Sequence, residues 1–151
     1  RVTAPAGGVV ALEPDNSARY LYSSTASGRR VFELSTRFFN AVIAARGEAV
    51  EGAVGPKLPT LFARHGIEPL AVRLFPVSWS RLGAPSDDEW RRRRDAVEKI
   101  IDGTRVDSVR ALGREYLEHL QVYAREAIEA GSAFVEIQNT MLFATVGQKV
   151  G

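Results

Sequence analysis

A chain of 151 residues, 45% hydrophobic and 25% charged, falls in the globular range and can bury a sizeable core, roughly 70% of its unfolded surface. It has no cysteine, which excludes disulfides, thiolate metal sites and a cysteine nucleophile. Twenty basic against 18 acidic residues, net +2, is too even a balance to point to nucleic acid, and no apolar run reaches the ~20 residues that cross a bilayer. No basic-then-apolar leader precedes the first apolar run, so a cytoplasmic protein is expected.

The turn Gly7-Gly8 feeds Val9-Val10-Ala11-Leu12, an uncharged run that predicts a strand buried on both faces of a parallel sheet. Pro14 lacks an N–H and restricts the residue before it, so the strand is expected to stop at Glu13-Pro14. Glu13, Asp15 and Asn16 would then stand just beyond its carboxyl end, where ligands bind in open α/β sheets. Residues 16–28, small and polar with Arg19, Tyr20 and Tyr22 among them, read as a loop.

Arg29 to Arg46 predicts the clearest helix, with Val31, Leu34, Phe38, Val42 and Ala45 at helical spacing and Gly47 as its stop. Phe38 and the adjacent Phe39 read as core, packed on a sheet. After a Gly/Ala/Val linker, Glu48 to Gly55, Lys57 to His65 forms a short helix with Pro59 in its first turn and Gly66 ending it. Ile67 to Val77 alternates as a strand, and residues 78–85 form a turn holding Trp79.

Ser86 and Glu89 make a capping box that opens a helix closed by Asp102-Gly103. A longer helix runs from about Asp107 to Gly131, its inner stripe formed by Val109, Leu112, Tyr116, Leu120, Tyr123 and Ala127. Ala133 to Val146 closes the chain as a strand interrupted by the polar triplet Gln138-Asn139-Thr140. One domain spanning 1–151 is expected, with residues 82–132 a helical insertion between the last two strands that covers the substrate side.

The turn Ala6-Gly7-Gly8 with its short apolar strand and acidic end, the long helix, the short helix ending at His65-Gly66, and the two later strands follow one another in a familiar order. In that order the chain resembles the C-terminal half of the class I, Rossmann-like S-adenosylmethionine-dependent methyltransferases. The resemblance implies an α/β sheet holding strands five, six and seven, the last antiparallel and lying between the other two. It also implies S-adenosylmethionine as cofactor of the intact enzyme, with a site mostly outside this chain, because the glycine-rich loop after the first strand and the acidic residue ending the second have no counterpart here. The chain is therefore expected to be part of a small-molecule methyltransferase, inactive alone.

On this reading Glu13, Asp15, Asn16, Arg19 and Tyr20 from the first loop, and Trp79, Tyr116 and Tyr123 from the roof, form the acceptor pocket. Glu13 and His119 are candidates for a base that removes the acceptor's proton. Each has a structural alternative: Glu13 as a strand-end residue, His119 as a surface residue with Glu115 one turn before it. His65 reads as a helix-end histidine. The two histidines stand too far apart in sequence to suggest a metal site.

Arg91 to Arg94 is the strongest charge run, yet four consecutive helical residues point all round the axis and acidic residues flank them at helical spacing, which favours a self-neutralised face over a nucleic-acid patch. A non-catalytic interaction module of the same fold is the other reading. The open apolar edge at Val9 to Leu12 predicts a homodimer, or a companion polypeptide that supplies the missing N-terminal half.

Overall fold

A computed structural model describes residues 6–47 and 54–150. The expected linker up to position 53 lies outside them. The elements are β1 (Gly8–Ser23), α1 (Gly28–Ala45), a 3-10 turn at Gly55–Lys57, α2 (Leu58–Arg64), β2 (Ile67–Leu82), α3 (Asp87–Gly103), α4 (Asp107–Ala130), a second 3-10 turn at Gly131–Ala133, and β3 (Val135–Lys149).

The fold is α/β, an open antiparallel sheet with four α-helices among the described residues, and the strand order is β1-β3-β2. Backbone bonds fix the directions. Lys149 N–H donates to the Gly7 carbonyl and Ser24 N–H to the Val135 carbonyl, so β1 and β3 run antiparallel. Val150 N–H donates to Gly66 and Gly83 N–H to Phe134, so β2 and β3 do the same. The last strand thus returns between the first two, which are parallel to each other and form the two edges. The segment joining β2 to β3 carries α3 and α4.

The opening strand differs from its expectation in two ways. It does not stop at Pro14 but continues to Ser23, so Glu13, Asp15, Asn16, Arg19 and Tyr20 lie within it and not in a loop beyond it. Nor is it buried on both faces: Val10 and Leu12 are 65% and 58% exposed. The first follows from its position. An edge strand has one hydrogen-bonding side unpaired, so a proline can be accommodated there without breaking the ladder. β2 likewise runs through the turn expected at 78–85 and ends at Leu82, again as an edge strand carrying prolines, Pro69 and Pro76.

β1 begins with a bulge. Ala6 N–H donates to the Lys149 carbonyl while Lys149 N–H returns to Gly7, so two residues oppose one, and Ala6 takes a left-handed φ of 61°.

The chain divides into two compact units. The first comprises residues 1–20, 51–79 and 138–151 and holds most of the three strands with α2. Its helix layer sits on the odd-numbered face of β3: a Cβ added to Gly147 would come within 2.6 Å of Phe62 and Ile67, and one added to Gly55 within 2.8 Å of the Phe143 ring. Glycine is required at both places because the helical layer and the sheet approach so closely. α2 is short and covers little more than this end, and the side chains of Leu70, Val72, Leu74, Phe75 and Val77 on β2 are exposed.

The second unit comprises residues 21–50 and 80–137 and is organised on α4. Val31, Leu34, Phe38 and Val42 from α1, with Trp90, Val97 and Ile101 from α3, close on Val109, Tyr116, Leu120, Tyr123 and Ala127. The α1 and α4 sets are the stripes expected at helical spacing, except that Ala45 is exposed and Leu112 only partly buried. Phe38 packs beside Tyr116 of α4, and Phe39 is 41% exposed, so the pair does not form the joint sheet-facing core expected. Only one of two adjacent helical residues can face the same neighbour, since they are about 100° apart round the axis.

Candidate functional site

Three of the residues marked in the sequence come together on the strand unit. Arg19 of β1 and Trp79 of β2 line a cavity of about 150 Å³ with Val77 and with Gln138, Asn139 and Thr140 of β3. Asn16 joins them through Arg19, whose Nε and Nη2 donate to Asn16 Oδ1 at 3.1 and 2.7 Å. The polar triplet between the apolar portions of β3 supplies half of the cavity's lining residues. Its Thr140 hydroxyl donates to the Asp15 carbonyl at 2.8 Å and ties the centre strand to β1. Asp15 is itself buried and is not part of the lining.

The cavity's groups are suited to binding. It offers a guanidinium, the 42%-exposed indole of Trp79, two carboxamides and a hydroxyl. A guanidinium beside an aromatic plane suits a flat, polar or anionic molecule, and carboxamides donate and accept to fix its orientation. No carboxylate or imidazole lines the cavity. Glu13 lies on the same strand, half-buried, with its backbone carbonyl against Gly55, and Tyr20 is exposed.

Tyr116, His119 and Tyr123 belong to the helical unit. Tyr116 and Tyr123 are buried in its core, and burial, before any other cause, pushes both phenols up from their ordinary pKa. His119 is half-buried on α4.

Around Tyr123 lies a polar cluster with no counterpart in the sequence reading. Glu136 of β3 has no exposure at all. Tyr123 Oη lies 2.8 Å from Glu136 Oε2 and 3.1 Å from Ser23 Oγ, and with one proton to give the phenol donates it to the carboxylate. Arg93 spans the two carboxylate oxygens at 3.3 and 3.5 Å and lies over the Trp90 ring, 5.0 Å from its centroid. A buried charge needs such partners. The only signal in the sequence was a lone carboxylate between Val135 and Ile137 in an apolar stretch.

The arginine run is self-neutralised only in part, since Arg91 and Arg94 pair within the helix while Arg93 leaves it for Glu136 and Glu89 pairs with Arg81. Arg91 pairs with Asp88, Arg93 with Glu136, and Arg94 with Asp95 and Glu98 at 3.4 and 3.6 Å. Among the described residues no group of three His, Asp or Glu side chains converges to hold a metal ion, and no helix is long and apolar enough to cross a membrane. Neither a protein-family model nor a curated protein matches the chain.

Proposed function

We propose that the chain is the C-terminal portion of an S-adenosylmethionine-dependent methyltransferase acting on a small molecule, and that the cavity at Arg19 and Trp79 is its contribution to the acceptor pocket. The observation that carries this reading is topological. A strand running antiparallel between two parallel edge strands is the arrangement implied by the family resemblance for strands five, seven and six.

The residues present do not fit the cofactor. The one glycine pair, Gly7-Gly8, opens β1 at the end paired with Lys149, away from the carboxyl end of the strand, and no glycine-rich turn joins a strand to a helix among the described residues. No step of methyl transfer is therefore assigned to this chain. Its own share is to bind and orient the acceptor, and positioning is a large part of what an in-line transfer requires. Neither Glu13 nor His119, the candidates for proton removal, lines the cavity, so no base is assigned.

The same fold as a non-catalytic interaction module is the second reading, favoured by the apolar side chains that β2 leaves exposed. Calorimetric titration with S-adenosylhomocysteine separates the two. The 151-residue chain should not bind it, whereas the chain produced together with its upstream coding sequence should bind one equivalent. An upstream sequence without a glycine-rich loop, or an extended chain that does not bind, would leave the interaction module as the better reading.

A further inference from the structure

We infer that the Arg19–Trp79 cavity is a site for a single aromatic ring bearing a carboxylate; the inference rests on the acceptor-pocket reading above and names its substrate class. Three observations carry it. The first is size: a cavity of about 150 Å³ is the volume that, in a protein interior, accommodates one benzene ring.

The second is charge. The guanidinium of Arg19 makes two bonds to Asn16 Oδ1, a neutral acceptor, and its side chain is otherwise exposed. Among the described residues no carboxylate pairs with it. A guanidinium held at one edge by an amide keeps its remaining N–H groups for an incoming anion, and its planar fork matches a carboxylate better than a point charge would. Asn16 acts here as a positioning residue, limiting the rotamers of a side chain that would otherwise sample many.

The third is the wall. Trp79 gives a flat apolar surface, Val77 adds aliphatic contact, and Gln138 and Asn139 place carboxamides beside it. A ring stacked on the indole would have ring hydroxyl or amino substituents within the reach of those amides, while its carboxylate meets Arg19. A neutral aliphatic ligand would use neither the guanidinium nor the indole face.

The test uses benzoate and its neutral isostere benzamide as probes, read by nitrogen-proton NMR of the 151-residue chain. The two tryptophans give two indole signals, and Trp79→Phe identifies which belongs to Trp79. Benzoate should move the Trp79 indole and leave that of Trp90 in place, with an apparent Kd about tenfold below that of benzamide, the difference one charge-assisted pair contributes. Arg19→Gln should abolish the preference, and Arg19→Lys should restore only part of it. An unmoved Trp79 signal at ~10 mM benzoate, where even a millimolar Kd is close to saturation, would overturn the inference, as would equal titration by the two probes. Neither probe involves the cofactor, so failure here leaves the S-adenosylhomocysteine result standing, and failure there leaves this one.

Discussion

The two units of this chain handle apolar surface in opposite ways. In the helical unit thirteen buried residues from α1, α3, α4 and the chain at Phe134 form one core, and even the buried carboxylate of Glu136 has an arginine and a phenol assigned to it. In the strand unit large apolar side chains stand on β1 and β2 with half or more of their surface in water, Val10, Leu12, Leu70 and Leu74 among them. The amino-acid types are alike. What differs among the described residues is how much of that surface a second layer covers, since an element becomes stable only by burying its apolar face against another. Stability is therefore expected to reside in the helices, and recognition on the strands.

The largest effect that would sharpen this contrast is cavity formation. Phe38→Ala, with no exposure at the site, should cost about 4 kcal/mol in denaturant unfolding, while Leu74→Ala on β2 should stay within about 0.5 kcal/mol. Equal losses would mean that the strand side chains are covered in solution. Next comes the buried ion pair. Arg93→Ala removes the arginine that spans a fully buried carboxylate and should cost about 3 kcal/mol, because breaking such a pair leaves its partner's charge in the interior. Tyr123→Phe, losing one bond to the same group, should cost about 2 kcal/mol.

A smaller effect lies at the start of α3. Ser86 accepts from the Glu89 N–H, Glu89 returns to the Ser86 N–H, and Ser86→Ala should cost about 1 kcal/mol. The Ser86 backbone N–H foremost, then the Arg81 guanidinium, hold the Glu89 carboxyl down at about 2 from 4.5. Because the folded value is the lower one, this contribution is complete above pH 4.5 and is lost as the pH falls toward 2. Glu89→Gln should remove that part of the acid limb while leaving the alkaline side unchanged, which unfolding midpoints measured down the pH scale will show.

The smallest effect belongs to the strand unit and has the opposite sign. Ala6 occupies a left-handed backbone conformation in the bulge opposite Lys149. Ala6→Gly should stabilise by roughly 0.5 kcal/mol, the strain relieved less the entropy glycine adds to the unfolded chain. A destabilised variant would mean that the bulge does not persist in solution.

Helical periodicity was the most legible part of the sequence. The stripes on α1 and α4, the capping box at Ser86 and the stop at Gly66, where φ is 68°, depend on neighbours within a few residues, and local geometry alone specifies them. Arg19 and Trp79 could be marked as candidates by residue type, and the interruption at Gln138-Asn139-Thr140 was visible as a break in an apolar strand. That these three fragments meet in one cavity was not legible, because they come from three strands and only the order β1-β3-β2 makes them neighbours.

Tertiary structure decided three further matters. Pro14 reads as a strand stop when only its own chain is considered, and an edge position removes the conflict. Phe38 and Phe39 are equivalent in sequence, and the location of α4 decides which is buried. Glu136 reads as a misplaced charge until Arg93 and Tyr123, 43 and 13 residues away, are brought to it. Spacing along the chain determined what each element could be; which residues are core, edge or site depended on contacts between residues far apart in sequence, and those exist only once the elements have packed.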